Sequence, residues 1–335
     1  MYTLERKIVF QLLFVMFSAT LAAAQGPAIT LSELRQIVTD SRESVATAHL
    51  LYIEEIDSNE SPPFNKDTIS YKIYQAQTDG RRRKVDVLLD RVGDRVKMSV
   101  TELRDVDKLL KKYNLPPEQK INLPKSRKFL MQGDYDMEIS DGNAPNEPLD
   151  LGLWKRPGRT AVFRFTSLGI INEKLLSEDL RPTLSKINSD GKSLLRIELI
   201  TKGQKLLKRT IACDPSLGYR FRRIQCHSDG HLVWETIADN YRYVNDVNNT
   251  IVVPYPFLYI DRIFDKDGKI RRETKYVMEK VELEVDLSPD DFKVFVPAGT
   301  QFIDGVSMII HTIEQSGYMG IDDALSIGIE WLLKR

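Results

Sequence analysis

The chain has 335 residues, 42% of them hydrophobic, and its 48 bases are balanced by 48 acids. A net charge of zero gives no bulk attraction to nucleic acid. The composition is that of a globular chain, not a disordered or collagenous one, and the length allows one large domain or two small ones.

The first 24 residues run from a charged segment (MYTLERK) through an apolar run (IVFQLLFVMFSATLA) to Ala22-Ala23-Ala24 before Gln25. That order is the order of a secretory signal peptide cleaved after Ala24. The alternative is an uncleaved anchor, for which the apolar run is short. Cleavage would remove Glu5, Arg6 and Lys7 and leave the charge near neutral. The expectation is an exported, periplasmic protein with no later membrane span.

Thr30 and Glu33 stand at capping-box spacing, and Leu31, Leu34, Ile37 and Val38 recur at helical spacing. They predict an amphipathic helix over 30–42. Short β-rich runs predict strands over 45–56, 69–76, 82–89 and 95–103. A short helix over 106–117 ends at its prolines, and another strand is expected over 127–140. Residues 141–190 change character, with a polar loop (DGNAPNEPLD) and a helical pattern over 172–187 interrupted at Pro182. From 191 strands return, separated by TKGQ, DPSLG, SDG and DKDG, as a long antiparallel meander. The last segment, GIDDALSIGIEWLLKR, reads as a helix with acids first and bases last, too short to cross a membrane. The fold class expected is mainly β (α+β), one large antiparallel sheet with helices on one face. The expected division is a signal peptide over 1–24, a domain over 25–310 with an insert near 141–190, and a helical extension over 311–335.

The stretch CHSDGHLVWET (226–236) gathers Cys226, His227, Asp229 and His231, and FDKDGKIRRET (264–274) repeats its Asp-Gly and Glu-Thr without the His and Cys. A two-residue turn at Asp229-Gly230 sets Ser228 opposite His231 and His227 opposite Leu232. His227 and His231 then point to opposite faces, and Cys226 with His231 alone cannot close a zinc site. The Asp265–Thr274 stretch also departs from a calcium loop, with Ile263 and Thr274 where ligands belong. No metal and no cofactor is expected. The DPSLG turn places Cys226 opposite a residue near 207, away from Cys213, so both thiols are expected free, or paired only through a strained bond.

Catalytic readings are weak, and no enzyme is expected. His49 reads as a structural strand residue and His311 as part of an apolar run; Ser307 near it lacks a Gly-x-Ser-x-Gly frame and an oriented acid. No phosphate loop or dinucleotide fingerprint occurs. GRRRK (80–84) reads as a solvated face. Asn59-Glu60-Ser61 and Asn248-Asn249-Thr250 match a glycosylation triplet by chance as easily as by design.

The segment CDPSLGYRFRRIQC, the SDGHLVWET hairpin and SPDDFKVFVPAGT (288–300) resemble the outer-membrane lipoprotein-sorting, LolA-like, family. The matching residues are Asp214-Pro215, Gly218, Pro289-Asp290-Asp291-Phe292 and Pro297-Ala298-Gly299. The resemblance covers mostly 190–300 and more loosely 30–140. It implies an open antiparallel half-barrel with helices over its concave side, and a non-enzymatic periplasmic carrier of lipid-modified proteins. The chain departs from the pattern in its length, its 141–190 insert, its extra C-terminal helix, and Cys213 where relatives often carry an aromatic residue.

Two functions compete. One is a carrier of a lipid or lipid-modified protein; the other is an envelope sensor or interaction module that binds partner proteins with the same fold. A hydrolase ranks last. A two-residue turn at Asp267-Gly268 sets Leu258 opposite Val277 and Pro254 opposite Val281. One face then collects Val252, Leu258, Ile260, Val277, Val281, Leu283 and Val285. Tyr276, Met278, Lys280, Glu282 and Glu284 fall on the charged face. Tyr255, Phe257 and Tyr259 sit uneasily opposite those charges, and a bulge at Pro254 and Pro256 could turn them inward. In the first hairpin Tyr219, Phe221, Trp234 and Ala238 go together, with Arg220, Arg222 and Glu235 opposite. The expected lining of a hydrophobic cavity is Phe221, Trp234, Leu258, Val277, Val281 and Leu283; the alternative is that these residues fill a core.

Overall fold

The computed structural model describes residues 29–58, 68–78, 80–116, 126–140, 150–155, 176, 180–189, 191–202, 206–305 and 309–333. The expected signal peptide, the Asn59 triplet and Ser307 lie outside them. In chain order the elements are α1 (Leu31–Glu43), β1 (Thr47–Ser58), α2 (Ile69–Thr78), β2 (Arg81–Asp90), β3 (Arg95–Glu102), α3 (Val106–Lys112), β4 (Ser126–Gln132), β5 (Tyr135–Ser140) and β6 (Asp150–Lys155). The meander follows as β7 (Thr183–Ser189), β8 (Lys192–Lys202), β9 (Leu206–Asp214), β10 (Arg220–Ser228), β11 (His231–Asn245), β12 (Val252–Phe264) and β13 (Ile270–Leu283). The chain ends with β14 (Val294–Val296), β15 (Gln301–Asp304), β16 (Ile309–Thr312), β17 (Gly317–Met319) and α4 (Ile321–Leu333).

The architecture is mainly β. Fifteen strands form one sheet in the order β16-β15-β6-β5-β4-β3-β2-β1-β13-β12-β11-β10-β9-β8-β7. Its ends, β16 and β7, do not meet, so the sheet is an open half-barrel. Its pairs are antiparallel except β6 with β15.

Three predicted elements differ. Residues 69–78 form α2, not a strand. Ile and Tyr gave the segment a β-like composition, but Ile69, Ile73 and Ala76 recur at helical spacing and Thr68 caps the start by accepting from the Tyr71 N–H. Ala76 packs with Leu109 and Leu110 of α3 in a small separate core. Residues 127–140 form a hairpin, turned at Gly133 with φ +55°, where a side chain is disfavoured. Residues 183–189 form a strand, not the end of a helix: Pro182 blocks helix continuation, and Leu184 pairs with Ile197 of β8.

The two faces of the sheet carry different cores. On the inner face, α1 buries Leu34 and Val38 against Leu50 and Tyr52 of β1, Val85 and Val87 of β2, Ile197 of β8, Ile211 of β9, Tyr255 and Tyr259 of β12, and Leu283 of β13. The capping box of α1 is closed from both sides, with Thr30 Oγ1 accepting from the Glu33 N–H and Glu33 Oε2 from the Thr30 N–H. On the outer face a second core joins Leu130, Met137, Ile139, Leu151, Leu153 and Phe302 to Ile313, Met319, Ile321 and Ala324. The register fixes this opposition: Leu130 sits opposite Lys97, whereas Met98, one residue on, packs on the inner core.

Candidate functional site

The inner wall is aromatic where it meets β10–β13. Tyr52 and Tyr276 meet edge-on at 5.9 Å, Phe221 lies 6.3 Å from Tyr259, and Tyr255 meets Phe257 at 6.3 Å. The wall turns its aromatics inward because of one bulge. Leu51 pairs with Lys280 but Tyr52 with Met278, so Glu279 is an extra residue on β13. Tyr276 and Met278 therefore face inward below the bulge, and Val281 and Leu283 face inward above it.

The expected lining residues divide accordingly. Phe221 and Leu283 are buried in the inner core, and Val281 packs against it. Val277 and Leu258 pair with each other, as expected, but on the outer face: Val277 is 41% exposed, and Leu258 is half-buried outside the inner core. Their placement in the interior is corrected by the bulge, which reverses the parity of half the strand. Val252, expected with them, is exposed as well. Trp234 is half-buried outside the inner core. Arg220 and Glu235, expected on a solvated face, are both buried.

The two hairpin tips differ. Asp229 and Gly230 both have positive φ and make the two-residue turn, with Ser228 opposite His231 and His227 opposite Leu232. At the second tip only Gly268 has positive φ, and the loop is one residue longer. The Asp265 N–H donates to the Lys269 carbonyl, and Asp265 Oδ1 accepts from the Asp267 and Lys269 N–H groups. A compensating shift between Ile263 and Phe264 restores the register further along.

Cys213 and Cys226 are free. Cys213 pairs with Phe221 and Cys226 with Arg209, so four residues of strand, roughly 13 Å, separate them. The bases of the 80–84 run are ion-paired on the sheet: Arg82 to Glu55 at 3.2 Å, Arg83 to Glu54 at 3.4 Å and Lys84 to Glu279 at 3.7 Å. His49 bridges Asp86 and Glu282, at 2.9 Å to each.

On the outer face of β7–β11 lies an open groove of about 760 Å³, lined by Lys192, Arg196, Lys208, Arg223 and His227. Glu198 holds Arg196 and Lys208, and Glu235 holds Arg223. The β9–β10 turn is different. Asp214 Oδ1 accepts from the Ser216 N–H and Oγ, and its Oδ2 accepts from Arg222 Nε at 3.1 Å and Nη2 at 3.0 Å. Arg220, its register partner, is 4% exposed, and its Nε and Nη1 are buried with no hydrogen-bond partner. The sequence hid this residue inside an alternating Tyr-Arg-Phe-Arg run; the signal was three bases (Arg220, Arg222, Arg223) beside one nearby acid, Asp214.

No family model matches the chain, and no curated protein does. Among solved structures it is similar to a LolA superfamily protein from Nitrosomonas europaea, at 13% identity and a TM-score of 0.40, over 79% of this chain and 97% of that one. It is also similar to an uncharacterised conserved protein from Thermus thermophilus, at 8% identity and a TM-score of 0.31, over 81% of this chain and 98% of that one.

Proposed function

We propose that the chain is an exported, non-enzymatic carrier that binds a lipid, or the acyl chains of a lipid-modified protein, against the inner face of the half-barrel beneath α1. The observation that carries this reading is the mismatch between wall and roof. The inner core runs across nine strands, β1–β3 and β8–β13, a width of roughly 40 Å. Among the described residues its roof is α1, of 13 residues and so about 20 Å long, together with Leu176, whose carbonyl accepts from Arg35 Nε at 2.5 Å. Tilting α1 away would open an apolar, aromatic wall long enough for an acyl chain.

Binding of a fluorescent fatty acid to the full chain tests the proposal. Val281→Glu, on the inner wall, should abolish binding, and Val277→Glu, on the outer face of the same strand, should leave it unchanged. Failure of the wild-type protein to bind such a probe would overturn the carrier reading. An envelope interaction module would then take its place, favoured by the β11–β12 tip, where Tyr243, Val247 and Val252 are 64%, 59% and 56% exposed.

A further inference from the structure

We infer that Arg220 binds the anionic head group of that ligand, a carboxylate or a phosphate. The inference rests on the carrier reading for the ligand's tail, but the anion site stands on its own geometry. A guanidinium has five N–H donors and no acceptor, and buried donors without partners are rare in folded proteins. Arg220 has two of them. Burial lowers its pKa to about 10, and Arg91 pushes the same way while Tyr241 and Tyr259 oppose. It is therefore charged at neutral pH. An unpaired buried cation calls for an anion.

Among the described residues none supplies one. Asp214 spends both oxygens on Ser216 and Arg222. The Tyr241 hydroxyl donates to the Phe221 carbonyl and so is also engaged. Gly218 and Tyr219 both adopt left-handed conformations, at φ +61° and +60°, immediately before Arg220, and a tyrosine there is strained.

The planar guanidinium fork matches a carboxylate or a phosphate through two parallel hydrogen bonds. Arg220 opens β10 immediately before Phe221, which meets Tyr259, so the head group would be held at the end of the aromatic wall with the tail running along it.

Calorimetric titration of the full chain, stripped of bound lipid, with dodecanoate, dodecanol, acetate and inorganic phosphate tests this. Dodecanoate is expected to bind about tenfold more tightly than dodecanol, the scale of one charged hydrogen-bond pair. Arg220→Met should lower dodecanoate to the level of dodecanol and leave dodecanol unchanged. The same variant should raise the melting temperature of the free protein, because it removes an unmatched buried charge. Should that variant fail to fold, the wild-type ratio of dodecanoate to dodecanol affinity decides. Equal binding of acid and alcohol by the wild type overturns the anion site and leaves the carrier reading standing. Arg220-dependent binding of phosphate or acetate, with no binding of either twelve-carbon ligand, supports a site for free anions and overturns the carrier reading. No binding of any of the four overturns both.

Discussion

Asp214 links three features of the β9–β10 turn: it caps the Pro215–Leu217 turn, holds Arg222, and by doing both leaves Arg220 unmatched. Burial alone would raise its pKa, but the hydrogen bonds from Ser216 and Arg222 outweigh burial and hold the carboxyl below its usual range. Asp90 behaves alike, with burial opposed by Gly93 and Arg95. A carboxyl depressed in the folded state stabilises the fold above the ordinary carboxylate pKa, and that stability is lost as pH falls through the folded value. Wild-type stability should therefore decline on acidification below about pH 4. Asp214→Asn should flatten part of that decline and cost about 3 kcal/mol at neutral pH, measured by urea unfolding across pH. The cysteines allow a second check at this scale. Burial pushes the Cys213 thiol pKa up, whereas Cys226 is only half-buried. Alkylation of the native protein should modify Cys226 before Cys213, and unfolding without reductant should release two reactive thiols. A single adduct or none would mean that the register separating them is wrong.

Elements were legible where local chemistry fixed them. The capping box at Thr30 and Glu33 and the positive-φ turn at Asp229-Gly230 each depend on residues within a few positions, and both form as read. Helix α2 was hidden because Ile and Tyr carry β propensity, while its helical spacing registers only through packing on α3. The faces of β13 were half legible. The hairpin fixed Leu258 opposite Val277, but the face that both present depends on the Glu279 bulge, which pairing with β1, more than 200 residues earlier, imposes. This part of the site needed a long-range partner that no local pattern announces. The bulge makes a sharp prediction for neighbouring residues. Val277→Lys, on the outer face, should change stability by less than about 1 kcal/mol, whereas Met278→Lys buries an unpaired charge and should cost more than about 3 kcal/mol. Equal costs in denaturant melts would show that β13 is not bulged.

At the scale of the whole molecule, one sheet carries two cores on opposite faces, and different elements cover them. Helix α1 covers the inner core, while β14, β17 and α4 cover the outer core over β4–β6 and β15. The antiparallel class followed from alternation and turns alone. The second core did not, because it depends on the parallel pairing of β15 with β6, about 150 residues apart, where Phe302 meets Leu151. This division implies that the two covers can fail separately. Removing residues 317–335 would unpair β14 from β17 and strip Met319 and Ile321 from Leu130, Met137 and Leu153. Each buried apolar side chain lost costs about 2 kcal/mol. The damage should stay on the outer face, because none of the removed described residues belongs to the inner core. Hydrogen exchange of the truncated protein should quicken in β4, β5, β6 and β14 while the amides of β8–β13 keep their protection. Fatty-acid binding should persist, since the inner wall and its Arg220 end are untouched. Uniform acceleration across all fifteen strands of the sheet would show that the two cores unfold as one unit and that the C-terminal helix supports the inner wall as well.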